Sequence, residues 1–368
     1  MISFDNLPLP TLREQIETPS LLIDLDLLEN NIKFMADYFR DKPAKLRPHA
    51  KTHKSPLIAV KQIEAGSATG ITVAKLGEAE VMVNGGIRNI LISNEIVEPS
   101  KIARLAGLSK HATITVAVDN IENVELHNRA AEYFKTKINV LVEVNVGLNR
   151  CGVEWGQPAL DLSRKVMKME NIVFRGLMGY EGHAVLVPEL SSRRQIAEVA
   201  MGKLIDTRKL LEKNGIPVEF VSGGGTGTYN LTGVTPGIDE IQAGSYIFMD
   251  STYQKTLVPF DQALTIYVTI ISKTSSEKFI LDAGMKAISQ DNGLPFVKDH
   301  PEWKVTALNE EHAYLYTPGG NSQLGIGDKI ELVPSHCCTT INLHDRYYAL
   351  RNNRIEAVWA IEARGRFQ

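Results

Sequence analysis

The sequence predicts an α/β protein in which a (β/α)₈ barrel is followed by an antiparallel β domain. Short apolar runs rich in β-branched residues alternate with helical patterns over residues 20–254, and such alternation requires a parallel sheet. From residue 255 to residue 368, candidate strands follow one another with polar turns and no helical pattern between them. We therefore predict a (β/α)₈ barrel over residues 20–254 and a β domain over residues 255–368, with residues 1–19 packing on the β domain.

Eight strands can be placed in the first region from their apolar and β-branched residues. They are Lys45–Pro48, Gly70–Val73, Ile90–Ser93, Thr113–Val118, Val140–Val146, Phe174–Met178, Glu219–Ser222 and Glu240–Ala243. Helical periodicity is clearest at Leu28–Phe39, Gly77–Asn84, Ile121–Phe134 and Ser192–Asn214. Eight such units close into a barrel. An open doubly wound sheet would show the same alternation, because periodicity does not distinguish a closed sheet from an open one.

The second region contains six candidate strands. They are Ala263–Ser272, Phe279–Asp282, Val305–Leu308, Lys329–Val333, Tyr347–Arg351 and Arg354–Ala360. Because no helical pattern separates them, we predict that these strands pair antiparallel.

Composition and charge exclude several classes of protein. The 368 residues include 40 basic and 43 acidic side chains, so no basic excess exists to neutralise nucleic acid. No apolar run approaches the ~18 residues of a membrane-spanning helix, and Met1–Leu12 lacks the order of a signal peptide. The three cysteines, two of them adjacent, fit a reducing compartment. We expect a cytoplasmic enzyme with neither nucleic acid nor membrane as a partner.

The first barrel strand leads into a segment with two histidines and two lysines, Arg47–Lys54. A solvated basic turn is the ordinary explanation of such a segment. The reactive residues of barrel enzymes, however, lie at the carboxyl ends of the strands, where a desolvated lysine can attack a carbonyl group. Lys51 is closer to the strand end than Lys54, which makes it the stronger candidate.

Two further strand ends carry residues that could contact a planar ligand. Arg150 follows the fifth strand and could hydrogen-bond a flat group, although a surface salt bridge is an equal alternative. Tyr180 follows the sixth strand and could stack on a ring or simply pack at the rim. His183 lies three residues beyond it.

Small-residue loops follow the seventh and eighth strands, Ser222–Thr228 and Gly244–Tyr246. Barrels commonly bind phosphate at this place, with backbone N–H groups pointing at the anion. A lysine, a planar-group arginine and a phosphate loop together indicate one flat, phosphorylated carbonyl compound. That compound is pyridoxal 5′-phosphate.

The β domain offers a candidate metal site in His336 and Cys338, which would face the same side of an extended segment. Two protein ligands leave coordination positions for water and substrate, as a catalytic metal requires. Imidazole with thiolate favours zinc, and manganese or magnesium is the alternative. Packing is the ordinary explanation of a buried cysteine beside a histidine.

Seven motifs occur in order along the chain: RPHAKTHK, EVNVGLNRCGV, SGGGTGT, EIQAGSY, DAGMK, EH and SHCCTTINLHD. As a set they resemble the D-threonine aldolase and D-serine dehydratase-like family of pyridoxal phosphate enzymes. The resemblance extends over nearly the whole chain. It implies an alanine racemase-like barrel, a C-terminal β domain, a small D-amino acid as substrate and a homodimer.

The family's residue roles can be carried over to matching positions. The resemblance implies that Lys51 holds the cofactor covalently and that Arg150 faces its pyridine nitrogen. It implies phosphate binding by the two loops and a divalent ion at His336 and Cys338. The expected catalytic residues are Lys51, His49, Tyr180 and His183; the expected cofactor-binding residues are Lys51, Arg150, Tyr180, Gly224, Gly225, Thr226, Gly244, Ser245 and Tyr246.

Two reactions are consistent with the resemblance. Retro-aldol cleavage of a D-β-hydroxy-α-amino acid gives glycine and an aldehyde, and dehydration gives a keto acid and ammonia. Cys338 is typical of the dehydratases, whereas Ser93–Glu95 and the SGGGTG loop are closer to the aldolases. Glu181 departs from the aldolases, which often have histidine or glutamine there, and this leaves the catalytic base open. We favour the aldolase; a non-catalytic cofactor-binding protein and a racemase fit less well.

Overall fold

The computed structural model describes residues 9–320 and 323–368 and divides them between two compact units. One unit comprises residues 33–244 and 365–368, and the other comprises residues up to 32 together with 245–364. The predicted packing of residues 1–19 includes residues 1–8, which lie outside the described residues.

The strands, numbered in chain order, are β1 (Thr11–Leu12), β2 (Ser20–Asp24), β3 (Lys45–Leu46), β4 (Ile71–Val73), β5 (Asn89–Ile92), β6 (Thr113–Val118), β7 (Ile138–Asn145), β8 (Val153–Glu154), β9 (Ile172–Gly179), β10 (Phe220–Gly223), β11 (Glu240–Ile241), β12 (Leu264–Lys273), β13 (Lys278–Leu281), β14 (Phe296–Val297), β15 (Lys304–Leu308), β16 (Ala313–Tyr316), β17 (Lys329–Val333), β18 (Arg346–Arg351) and β19 (Arg354–Ala360).

The helices are α1 (Leu25–Phe39), α2 (Pro56–Glu64), α3 (Leu76–Asn84), α4 (Pro99–Leu108), α5 (Ile121–Phe134), α6 (Gln157–Val166), α7 (Leu190–Lys213), α8 (Tyr229–Thr232), α9 (Ser251–Gln254) and α10 (Cys337–Ile341). Local sequence explains several helix ends. The Asn120 side chain caps α5, the Glu189 carboxylate accepts two backbone N–H groups at the start of α7, and Gly215 follows the end of α7 with a φ of +76°.

The predicted eight-stranded parallel barrel is confirmed. Its strands are ordered β3-β11-β10-β9-β7-β6-β5-β4, and every pairing is parallel. Parallel bridges between Leu46 and Ala68 and between His49 and Thr72 join the first and last strands of this path. The sheet is therefore closed, which excludes the doubly wound alternative. A buried cluster inside it is formed by Leu91, Ala117, Leu141 and Met178, with Phe220 packed against them.

A buried ion pair links the barrel strands where the sheet closes. Nε and one terminal nitrogen of Arg47 donate to the two carboxylate oxygens of Glu240 at 2.7 and 2.6 Å. The other terminal nitrogen donates to the Asn89 side chain at 3.1 Å, and the Thr69 hydroxyl donates to Glu240 at 3.0 Å. Both charged side chains are at least nine-tenths buried, so each charge depends on its partner.

The predicted antiparallel β domain is also confirmed. Strands β12, β13, β16, β15, β14 and β17 pair in that order, and β17 pairs back to β12, so they form a closed barrel. On the other edge of β12 lies β2, followed by β18, β19 and β1. The strand β2 thus belongs to this sheet, although the predicted cofactor barrel begins at residue 20. Its apolar residues Leu21, Leu22 and Ile23 are fully buried.

Among the described residues, no helix has the length and apolar character that crossing a membrane requires.

Candidate active site

Lys51 lies in a turn at the carboxyl end of the first barrel strand, and its side chain is half-buried. Its carbonyl oxygen accepts a hydrogen bond of 2.6 Å from Nζ of Lys54. The buried Lys54 amine is therefore engaged with the backbone, and Lys54 itself has a φ of +55°. Of the two lysines, the position of Lys51 is the better suited to attack a carbonyl carbon.

His49 lies directly before Lys51 in the same segment and is buried. Its Nδ1 accepts a long hydrogen bond from the backbone N–H of Lys51, and its Nε2 is 3.2 Å from the Ser93 hydroxyl. Burial lowers the pKa of His49 well below its usual value, and the nearby charges of Lys51, His53, Lys54 and Arg150 lower it further. The imidazole is therefore neutral at neutral pH and can accept a proton.

Arg150 and Tyr180 come together at the carboxyl ends of β7 and β9. The guanidinium carbon of Arg150 is 5.8 Å from the centre of the Tyr180 ring, a cation–π distance. Arg150 is exposed and Tyr180 is half-buried, so both can reach a ligand. A Cβ atom on Gly225 would lie 3.4 Å from the Tyr180 ring, which places that ring beside the glycine-rich loop.

Glu95 and Glu143 form a pair of carboxyl groups near Arg150. Glu143 lies on the inward face of β7, two residues after Leu141, and is buried. Burial raises the pKa of Glu143 to about 9; the charge of Glu95 and a hydrogen bond with it raise the pKa as well, while Arg150 opposes the rise. Glu143 is therefore protonated at neutral pH. No role for Glu143 was predicted, although a glutamate within the apolar run NVLVEV was a signal in the sequence.

The glycine-rich loop after β10 is held in place by Glu181. The fully buried carboxylate accepts hydrogen bonds from the backbone N–H of Gly224 (3.1 Å) and from the hydroxyls of Thr228 (2.7 Å) and Thr232. The N–H of Gly225 donates to the Thr228 hydroxyl at 3.1 Å. The residue that departs from the aldolase pattern thus shapes the loop, and its carboxylate is engaged there.

Close backbone contacts explain why the loop needs glycine. A Cβ atom on Gly227 would lie 1.8 Å from the carbonyl oxygen of Val185, a distance that no side chain can adopt. Gly244 after β11 is restricted in the same way, because its Cβ would lie 2.8 Å from the His49 carbonyl oxygen. Thr226, between Gly225 and Gly227, is buried. The loop is therefore a narrow cradle lined by glycines, in which the backbone N–H groups of Gly224 and Gly225 are already bound to Glu181 and Thr228.

The remaining predicted residues have different surroundings. His183 is exposed, and a Cβ atom on Gly147 would lie 3.2 Å from its ring, so His183 lies at the rim near the end of β7. Ser245 and Tyr246 begin the second unit in a 3₁₀ turn. The Tyr246 ring is fully buried and packs on Phe260 with ring centres 5.6 Å apart.

The predicted metal pair lies in the second unit, but the segment is not extended. His336 is the residue before the short helix α10 and makes no side-chain capping bond, and Cys338 is in the first turn of that helix. The prediction of a common strand face was therefore wrong, because Asp250 accepts the N–H of Cys337 at 3.1 Å and the chain turns into a helix. The two side chains still meet, since the Cys338 sulfur hydrogen-bonds with His336.

Two neighbouring acidic groups raise the pKa of His336. Burial lowers the pKa of His336, but Cys338 and Asp291 outweigh burial and raise it to about 9. Nδ1 of His336 is 2.6 Å from Asp291 Oδ2, and the Ser245 hydroxyl is 4.0 Å from the Cys338 sulfur. Within the described residues, no group of three or more histidine, cysteine or acidic side chains could hold a metal. A histidine and a cysteine with open positions nevertheless match the donors of a catalytic zinc site.

Comparison with known proteins gives two family matches. Residues 23–252 match the family described as "Alanine racemase, N-terminal domain", and residues 263–350 match the "Putative serine dehydratase domain". The chain is 35% identical to the 3-hydroxy-D-aspartate aldolase of Paracoccus denitrificans (strain Pd 1222), over 99% of this chain and 97% of that protein. It is 36% identical to the D-threonine aldolase of an Arthrobacter species, over 95% and 93% of the two chains.

Solved structures agree with these matches. The crystal structure of D-threonine aldolase from Filomicrobium marinum superposes with a TM-score of 0.95 at 36% identity, covering 98% of this chain and 99% of the other. D-threo-3-hydroxyaspartate dehydratase is less similar. Its cysteine-to-alanine variant in the metal-free form has a TM-score of 0.87 at 25% identity, covering 95% and 98% of the two chains, and a histidine-to-alanine variant has also been solved.

Proposed function

The chain belongs to the D-threonine aldolase and D-serine dehydratase-like family of alanine racemase-fold proteins, and from this premise we propose that it is a lyase for D-β-hydroxy-α-amino acids. The proposed reaction breaks the bond between Cα and Cβ and gives glycine and an aldehyde. The observation that supports it most is the similarity to two aldolases along nearly the full length of the chain, at 35–36% identity. The dehydratase is more distant, at 25% identity.

We propose that the first unit holds pyridoxal 5′-phosphate through Lys51, with the phosphate at the loop that contains Gly224, Gly225 and Thr226. Two observations support the fit: the half-buried amine at a strand end and the glycine cradle that a Cβ atom would fill. Arg150 and Tyr180 are close enough to each other to contact one flat ligand together. When bound, this cofactor supplies an electron sink for the charge that develops at Cα.

The protein's own residues then have separable tasks. His49 is neutral and lies beside Lys51, with its Nε2 3.2 Å from the Ser93 hydroxyl. Glu181 fixes the loop that would bind the phosphate. His183 lies at the exposed rim, where it could exchange protons with solvent. Of these residues, we propose His49 as the first candidate for the catalytic base.

We propose that His336 and Cys338 hold a divalent ion, with zinc favoured by the thiolate. The dehydratase structures support this proposal, since the histidine and cysteine replaced in that protein are two positions apart, as His336 and Cys338 are. A bound ion supplies Lewis acidity toward the β-oxygen of the substrate. We also propose a homodimer, which light scattering of the purified protein tests.

Dehydration is the second candidate function, and Cys338 is the feature that favours it. Product analysis with D-threonine, D-serine and D-3-hydroxyaspartate separates the two reactions. Glycine with an aldehyde supports the aldolase, and a keto acid with ammonia refutes it. The corresponding L-amino acids serve as controls and should not react.

The role of Lys51 has an independent test. Holoenzyme treated with borohydride should carry the cofactor on Lys51, as peptide mapping would reveal. Lys51→Ala should lose the visible absorbance of the bound cofactor and the label, whereas Lys54→Met should keep the label. Labelling that persists in Lys51→Ala would refute the assignment.

A further inference from the structure

The Asp291 carboxylate makes three polar contacts beside the proposed metal pair. Its Oδ2 is 2.6 Å from Nδ1 of His336. Its Oδ1 accepts hydrogen bonds from the hydroxyls of Ser289 at 2.7 Å and Thr339 at 2.9 Å. One oxygen therefore holds the imidazole while the other is fixed by two hydroxyls, so the carboxylate cannot rotate away without losing all three bonds.

This contact determines which ring nitrogen carries a proton. An ionised carboxylate only accepts hydrogen bonds, so Nδ1 of His336 must be the donor. In the neutral ring the lone pair then lies on Nε2, the nitrogen that remains to contact Cys338 and could bind a metal ion. The backbone is fixed as well, because His336 immediately precedes α10 and the next N–H, that of Cys337, is bound by Asp250.

We propose that Asp291 is a positioning residue for the metal site: it holds His336 in the tautomer and orientation that present Nε2 to the ion. This inference rests on the proposed function, because it presupposes that His336 is a metal ligand. Removing a carboxylate that accepts the second N–H of a ligating histidine typically weakens metal binding by about 10–100-fold. We expect a loss of that size when the carboxylate is removed.

The test measures Zn²⁺ affinity of the holoenzyme in competition with a chromogenic chelator, so it does not depend on turnover. Asp291→Asn should bind Zn²⁺ about 10–100-fold more weakly than the wild type. Asp299→Asn is the matched control, since Asp299 is an exposed aspartate nearby in sequence and should change nothing. His336→Ala gives the affinity without the ligand. Asp291→Glu keeps the carboxylate and should recover part of the loss.

Each outcome has a separate meaning. A wild-type protein that takes up no Zn²⁺ or Mn²⁺ refutes the metal part of the proposed function. If the wild type binds the ion and Asp291→Asn binds it equally tightly, only the inference about Asp291 is overturned. Equal losses in Asp291→Asn and Asp299→Asn also overturn it, because the effect is then one of general charge. If Asp291→Asn fails to fold, Asp291→Glu compared with His336→Ala decides: an affinity as low as that of His336→Ala overturns the inference.

Discussion

Removing only one partner of the buried pair of Arg47 and Glu240 should destabilise the closed barrel. Arg47→Met keeps most of the side-chain volume but leaves Glu240 buried, with only the Thr69 hydroxyl and no positive charge among its described contacts. Breaking such a pair typically costs about 3–5 kcal/mol. That loss lowers the folding equilibrium constant more than about a hundredfold. The double variant Arg47→Met/Glu240→Leu should recover most of the loss, because no uncompensated charge remains.

Urea unfolding followed by tryptophan fluorescence would measure these changes. Trp155 lies in the barrel unit, whereas Trp303 and Trp359 lie in the other, so a Trp303→Phe/Trp359→Phe background reports on the barrel alone. The four proteins form a double-mutant cycle, and we expect a coupling energy above about 2 kcal/mol. A coupling energy near zero, or a loss below about 1 kcal/mol for Arg47→Met, would refute the reasoning.

Three further predictions concern pH and the phosphate loop. Burial lowers the pKa of His127 to about 4, so between pH 7.5 and 5 the unfolded chain binds a proton that the folded chain does not. This difference should lower the free energy of unfolding by about 2 kcal/mol as the pH falls. In urea titrations, the stability of His127→Gln should therefore depend less on pH than that of the wild type. Glu143 keeps its proton when folded up to about pH 9, so wild-type stability should decrease relative to Glu143→Gln as the pH rises from 5 to 8; a constant difference contradicts the raised pKa. Gly227→Ala should weaken pyridoxal phosphate binding at least tenfold by spectrophotometric titration, because the new methyl group clashes with the Val185 carbonyl. Gly202→Ala, where the Cβ meets open space, should bind normally.

Local patterns in the sequence were sufficient to predict the barrel. The eight strands appear close to their predicted positions because each is a short apolar run that ends at a polar or glycine-rich loop. The strand β2 was not among the predicted strands, and the predicted barrel domain only began at residue 20. Its partners β12 and β18 lie far along the chain, and an apolar strand such as SLLID fits either sheet equally well.

The candidate site shows the same division between local and distant information. Lys51 and the loop glycines follow from their position after a strand. The hydrogen bonds of Glu181 to Gly224 and Thr228 could not be predicted, since they join residues more than forty positions apart. The pairing of Glu95 with Glu143 likewise depends on separate strand ends coming together. His336 and Cys338 were identified from spacing alone, and spacing cannot distinguish a strand from a helical turn.

The placement of β2 has a consequence for how the chain folds as it is made. Ser20–Asp24 leaves the ribosome early, but its first partner, β12, starts only at residue 264. At about 5–20 residues per second, tens of seconds pass before that partner is available. During this time, a strand with three consecutive apolar side chains must stay out of contact with other chains. Truncated forms that end before residue 264 should therefore aggregate, even though the residues of the barrel are complete.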